Sequence, residues 1–289
     1  MSLNKQIWIN HILNNFYPQT SFLNFTTDFS ALVEYDKLHL AEVGVDPEVF
    51  INNTTYPIAV SKRDDTPLEI ELDLFETTNT LIREPEAIEY AFDKTTSVIY
   101  GHQQTLRTAT AKKAAHAFAP TKDSEFTPVI STSGATDDGF KKLTIADILK
   151  LKRRFDALDY PTDERYLVLD PKHTEDLILE DTKSFKDITD LVNGVPKRFA
   201  GFNILEFTKN PKYDSTTLEK IPFGGIDTNA SVCSFAFCKS EVMKADGTMK
   251  MYDTLHDPKE RATIIGFDKR FIALPIRNKG IGAIVSTKA

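Results

Sequence analysis

The chain has 289 residues, of which 41% are hydrophobic and 27% charged, with a formal net charge of −7. That length can bury one large core or two lobes, and the composition is that of an ordered soluble protein rather than a disordered one. The acidic balance argues against a surface that wraps nucleic acid, which needs clustered Lys and Arg, and no apolar run reaches the ~20 residues needed to cross a bilayer.

The first segment, residues 1–44, places Trp8, Ile9, Ile12, Leu13 and Phe16 on one face of a short amphipathic helix. Such a face needs a cover, either its own domain or a neighbouring subunit. The opening residues lack the basic start, apolar core and cleavage pattern of a signal peptide, so synthesis in the cytoplasm is the expectation. Between Val45 and Leu81 the pattern turns to period two, with Leu68, Ile70, Leu72 and Leu74 alternating with acids, as in a strand with one wet face. Tyr56–Val60 reads as its partner and Ser61–Pro67 as the charged connection of a long hairpin. A two-stranded ribbon is marginally stable alone, so this one needs another surface to lie on.

Glu84-Pro85-Glu86 then opens a helix that runs without further Pro to Pro120. Ile88, Phe92, Ile99, Leu106 and Ala109 recur at helical steps, and alanines crowd its end. At 1.5 Å per residue such a helix is roughly 50 Å long. Gly101 costs about 1 kcal/mol relative to Ala and permits a bend. Thr95 and His102 beside the stripe favour a helix resting partly on a solvated or intersubunit face. Pro120 to Gly139 reads as a connection.

Thr144 opens the next helix, whose Ile145, Ile148, Leu149, Phe155 and Leu158 form one stripe ended by Tyr160-Pro161. Arg165–Leu169 suits a buried strand, and Asp170-Pro171 supplies an N-cap followed by Pro at the first helical position. Leu177 and Ile178 give that helix its buried side. Asn193-Gly194 is a turn, and Gly201–Phe207 is another strand. After a loop from Lys209 to Asn229, Ser231–Ser240 is a strand with Cys233, Phe235 and Phe237 on one face. Cys233 and Cys238, five apart, fall on opposite faces, which excludes a disulfide between them. Ala245–Thr248 reads as a turn and Arg261–Ser286 as returning strands.

No linear motif of catalysis or cofactor binding is present. The six histidines form no H-E-x-x-H or close metal pair, and His173, three residues after Asp170, is explained by the helix cap that Asp170 provides. Gly224-Gly225 lacks the rest of a dinucleotide loop, and no phosphate loop or nucleophile elbow occurs. Asp64-Asp65 and Asp137-Asp138 sit in loop-like sequence. No catalytic, cofactor-binding or metal-binding residue is therefore expected.

Three stretches taken together carry a family resemblance: Thr144-x-x-Asp147-Ile148; Leu158-Asp159 to Arg165-x-Leu167-Val168-Leu169-Asp170-Pro171; and Gly201-Phe202-x-Ile204 before Asn210-Pro211. In order and spacing they resemble the major capsid proteins of tailed bacteriophages, which share the Hong Kong 97-type shell fold. The resemblance implies an α+β chain divided into an N-terminal arm (1–44), an extended hairpin loop (45–82), a peripheral domain with a long spine helix (83–142), an axial domain (143–245) and a C-terminal return to the peripheral domain (246–289). It makes Trp8, Ile12 and Phe16 of the arm, and Lys62, Arg63, Asp64 and Asp65 at the hairpin tip, the candidates for intersubunit contact.

What the resemblance implies of function is mechanical. Copies would assemble as hexamers and pentamers into an icosahedral head, enclosing double-stranded DNA without sequence-specific binding. The partners expected are a separate scaffolding protein, a portal and a cement protein, with no membrane. Some members form a lysine–asparagine cross-link assisted by a glutamate. Lys62 and Asn278 could stand for the first two, but no glutamate follows Asn278, so noncovalent locking is expected. The alternatives are an encapsulin-like nanocompartment shell and a soluble α+β enzyme without a familiar motif.

Overall fold

The computed structural model describes residues 9–10, 12–13, 16–18, 21–42, 66–83, 94–180, 191–192 and 195–288. In chain order the first strands are β1 (Thr27–Asp28), β2 (Val33–Glu34), β3 (Lys37–Glu42), β4 (Thr66–Glu71), β5 (Asp73–Glu76) and β6 (Thr80–Arg83). Helix α1 (Lys94–Phe118) leads to β7 (Val129–Ser131), β8 (Thr136–Asp137), β9 (Phe140–Lys141), helix α2 (Ile145–Asp156), β10 (Arg165–Leu169) and helix α3 (Pro171–Glu180). There follow β11 (Leu191–Val192), β12 (Val195–Pro196), β13 (Arg198–Phe199), β14 (Phe202–Glu206), β15 (Tyr213–Asp214) and β16 (Ala230–Ser231). The last four are β17 (Cys233–Cys238), β18 (Val242–Asp257), β19 (Ala262–Pro275) and β20 (Ile281–Val285).

Every residue of β17 is buried, as befits a strand covered on both faces. It runs through the middle of a six-stranded sheet ordered β13-β14-β10-β17-β20-β7. Cys233, Phe235 and Phe237 point to one side, into a cluster with Phe22 and with Ala111, Ala114, Ala115 and Phe118 of α1. Ala236 and Cys238 point to the other, where Ile148, Leu151 and Phe155 of α2 and Leu177 of α3 cover the sheet. The two cysteines are free and sit in different clusters, on opposite faces of the strand. Burial raises both thiols, Cys238 to about 12, so neither is a ready nucleophile.

The helical layer approaches the sheet most closely at Gly282 in β20. A Cβ there would lie 2.8 Å from Phe155 Cε2, 3.0 Å from Leu151 Cδ1 and 3.2 Å from the Pro128 carbonyl oxygen. Gly282→Val should therefore push α2 off the sheet and cost about 1–3 kcal/mol. A urea unfolding midpoint unchanged from the parent would contradict that packing.

Helix α1 belongs to two cores. Its C-terminal half packs on the six-stranded sheet, while Ile99 and Leu106 join Ile12, Phe16, Ile82, Met251, Ile265 and Phe267 in a second cluster. At 25 residues the described helix is about 37 Å long. The expected beginning at Glu84 lies outside the described residues, as does the side chain of Thr95. His102 corrects the reading of a wet flank: it is buried with its ring 5.3 Å from that of Phe267, because β19 lies across this face of the helix. A Cβ on Gly101 would meet nothing within 4 Å, so that side of the helix is open.

The second sheet is built on the long antiparallel pair β18–β19, with β1 on one side and β5 and β6 on the other. Ala245–Thr248, read as a turn, lies within β18 as a bulge between Asp246 and Met249. The glycine is there for clearance: a Cβ on Gly247 would stand 2.6 Å from Leu72 Cδ2 and 2.8 Å from Arg270 Cβ. Residues 246–289 also divide between sheets. The rest of β18 and β19 stay in this one, whereas β20 pairs with β17 and β7 in the other.

A smaller sheet, β2-β3-β4, forms a ribbon beside them. The partner of β4 in it is β3, with Leu38 opposite Ile70; the expected partner Tyr56–Val60 lies outside the described residues. The alternation read through Leu74 breaks at Leu72, whose N–H donates to the Asp36 carbonyl at 3.2 Å. Leu72 is buried, but Leu74 is exposed and the half-buried Phe75 faces the core, since β5 has left the ribbon to pair with β19.

Candidate assembly surfaces

The described part of the N-terminal segment is tied to its own chain. Ile12 is wholly buried and Phe16 nearly so, and Gln103 Nε2 donates to the Ile12 carbonyl at 2.6 Å. Tyr17 donates its hydroxyl to Asp246 at 2.7 Å, and the buried Lys269 pairs with the same carboxylate at 2.5 Å while its ammonium lies 4.6 Å from the Phe16 ring centroid. Lys244 sits 4.2 Å over the Tyr17 ring. Burial, reinforced by Asp246, raises the Tyr17 hydroxyl, and burial lowers the Lys244 ammonium. Ile12 and Phe16, candidates for intersubunit contact, are buried against the protein's own chain. They fill the gap between α1 and the β18–β19 pair. Trp8, Lys62, Arg63, Asp64 and Asp65 lie outside the described residues.

The ribbon is rooted by Leu38, which is buried with Leu72, Met243, Ala245 and Ile272. Tyr35 and Asp36 link β2 to β3 with φ of 48° and 61°, both left-handed as a tight hairpin turn requires. Tyr35 is 97% exposed at that turn. Lys37 and His39 reach Glu69 across the ribbon at 3.4 and 3.8 Å; exposed pairs of this kind contribute at most about 1 kcal/mol.

Only Met243 and Lys244 of β18 pair with β1, so among the described residues Met249–Asp257 have a strand neighbour on the β19 side alone. A strand bordered on one side only is a template for another strand or a surface that must be covered. Tyr252 on it is 56% exposed, with its hydroxyl donating to Asp268 at 2.8 Å. Sequence reasoning missed this edge. The alternation of Met249 and Met251 with Lys250 and Tyr252 marks a strand but does not say which side of it lacks a neighbour.

The outer face of the helical layer is also bare in places. Ile148, Leu151 and Phe155 set the buried stripe of α2 and leave Leu149, expected in that stripe, exposed; Leu179 of α3 is exposed as well. Beneath this layer the polar groups are structural. Asp147 accepts from Ser133 Oγ at 2.7 Å and Thr144 Oγ1 at 2.9 Å, and pairs with Lys150 at 2.8 Å. Burial works to raise its pKa, but the hydrogen bonds from Lys150, Ser133 and Thr144 win and lower it. Asp170 caps α3 by accepting from the Lys172 N–H at 3.1 Å.

His173 is fully enclosed, with Nδ1 2.6 Å from Ser234 Oγ and Nε2 2.8 Å from Ser286 Oγ. It fastens α3 to β17 and to the residue just past β20. His116 Nε2 is 2.9 Å from the Ile221 carbonyl, and His11 and the side chain of His256 lie outside the described residues. Among the described residues no three His, Cys, Asp or Glu side chains gather as a metal site. Asn278 has φ 48°, and with Gly280 it forms the turn into β20.

Comparison with known proteins follows the same architecture. No curated protein matches the chain. A solved structure from Mycobacterium phage Che8 is similar with a TM-score of 0.62 at 16% identity, covering 92% of this chain and 90% of that one. The capsid of Ralstonia phage GP4 reaches a TM-score of 0.68 at 10% identity, covering 92% and 87%. A virus-like particle from Pyrococcus furiosus covers 98% of this chain and 100% of its own, with a TM-score of 0.53 at 11% identity. At such identities these likenesses establish the fold, the Hong Kong 97-type shell fold. The family model described as "Phage capsid protein" matches residues 89–286, most of the chain. That span takes in α1, the whole six-stranded sheet and the β18–β19 pair, so the chain belongs to the phage capsid protein family and is a structural, shell-forming protein of a phage head.

Proposed function

We propose that copies of this chain close into an icosahedral head as hexamers and pentamers, around double-stranded DNA held by enclosure rather than by sequence-specific contact. The observation that carries the reading is the family match over residues 89–286. The exposed Leu149 and Leu179 support it, since each is a surface a neighbouring copy would cover. The net charge of −7 suits a wall that encloses a polyanion without gripping it.

In this reading residues 143–245 meet their copies around the local symmetry axis, residues 45–82 overlap a neighbour, and locking is noncovalent. A separate scaffolding protein, a portal and a cement protein complete the assembly, and synthesis in the host cytoplasm precedes incorporation into the virion. Negative-stain microscopy of the purified protein, alone and with a candidate scaffold, should show closed shells. A small monodisperse particle under every assembly condition would end the reading. A compartment shell with protein cargo is the second reading, favoured by the likeness to the Pyrococcus furiosus particle. Nucleic acid recovered from particles made in the native host decides for the first.

A further inference from the structure

A pocket of about 300 Å³ opens where α1 meets the segments Lys209–Lys212 and Ile221–Ile226. Three of its lining residues, Lys112, Lys209 and Lys212, are cationic, and among the described residues none of them forms an ion pair. The negative end of α1 does not account for them. Lys220 already serves it, donating from Nζ to the His116 carbonyl at 2.8 Å and to the Ala119 carbonyl at 2.6 Å.

Asn210 lines the same pocket, is only 7% exposed, and among the described residues has no hydrogen-bond partner for either atom of its side-chain amide. Buried amides are ordinarily paired, so this one marks an incomplete contact. The rim is apolar: Ile226 is 100% exposed and Phe223 is 44% exposed, with the Lys112 and Lys113 ammonium groups 5.4 and 5.1 Å from the Phe223 ring centroid.

We propose that this pocket receives a carboxylate-bearing segment of a second copy of the chain, an inference that rests on the shell-forming reading above. The charge balance supplies the complement, since 42 acidic against 35 basic residues leave each copy with carboxylates to spare. Elsewhere acidic copies repel one another, so a cationic hollow fixes the register in which two of them meet. A peptide also suits the other groups. Its carboxylate pairs with the lysines, and its aliphatic atoms cover Ile226. A nucleic-acid strand instead follows an extended basic groove, and a single hollow of about 300 Å³ does not offer one.

The test uses shells assembled from a mixture of isotopically light and heavy protein and treated with a water-soluble carbodiimide, which joins touching amines and carboxylates without a spacer. Mass spectrometry should find light–heavy peptides linking Lys112, Lys209 or Lys212 to an Asp or Glu, absent after dissociation. The double variant Lys112→Glu/Lys212→Glu, with its circular dichroism unchanged, should lose these links and lower shell yield by about tenfold or more. Wild-type shells without such links overturn the proposal while leaving the shell reading intact. Normal yield of the variant with reduced DNA retention also overturns it, placing phosphodiester at the pocket. Failure of the wild-type protein to form any shell removes both.

Discussion

Phe237→Ala should lower the unfolding free energy by about 3–5 kcal/mol, a fifth or more of the roughly 5–15 kcal/mol typical of a whole domain. The ring lies on the central strand and is wholly buried. It stacks on Tyr166, its cross-strand partner in β10, at a centroid distance of 5.4 Å, and it meets Phe118 of α1 at 5.6 Å and Phe235 at 6.2 Å. Truncation opens a cavity between a sheet and a helix that hydrogen bonding holds in place, so little collapse can refill it. Urea titration followed by circular dichroism measures the loss. Tyr35→Ala, at a residue 97% exposed, should change stability by no more than about 0.5 kcal/mol in the same assay. Equal effects from the two substitutions would mean that this cluster is not the core.

The second large effect is acid lability through His173. Burial, then the nearby Lys172 and Lys212 charges, lower its pKa from 6.5 to about 3, with Asp147 opposing them weakly. The unfolded chain binds this proton at pH 6.5 and the folded chain resists it until about pH 3. The neutral imidazole's stabilisation is thus complete above pH 6.5 and is lost as pH falls through that window. At pH 4 the loss is about 2.5 pH units at about 1.36 kcal/mol each, roughly 3 kcal/mol from this one residue. Asp147, whose folded pKa is lowered, adds a further loss only as pH drops below the ordinary carboxylate range. His173→Gln keeps a polar group between Ser234 and Ser286 without the titration. Stability measured from pH 8 to pH 4 should decline less steeply in the variant, and parallel declines would refute the assignment.

Much of the central sheet was legible because its local signals agree with one another. Arg165–Leu169 is a strand with the bounds read from its apolar run, and the five-residue spacing of the cysteines placed them on opposite faces. Where local and tertiary signals diverge, the sequence misleads. Ala245-Asp246-Gly247-Thr248 has the composition of a turn, but the glycine gives room to Leu72 and Arg270 inside a long strand. Leu74 continues an alternation that the chain abandons at Leu72, because β5 changes partners there.

The surfaces were less readable than the sheet. An apolar stripe such as Ile12 and Phe16 says that something must cover it, without saying which chain, and here α1 and the β18–β19 pair do so. The edge of β18 is set by what stops short of it, since β1 pairs at two residues only, and no pattern within β18 encodes that. The lysines around Asn210 come from α1 and from a loop about a hundred residues further on, a convergence that only the folded chain makes visible.

Because one rod of helix is shared by both cores, with Leu106 in one and Ala111 in the other, the two sheets cannot pivot freely about each other. Any change of angle between them must flex that rod or peel one sheet away from it. A wall made of such units therefore stiffens or yields as a set of levers. The open flank at Gly101 leaves room for the rod to bow at the end farther from the central sheet.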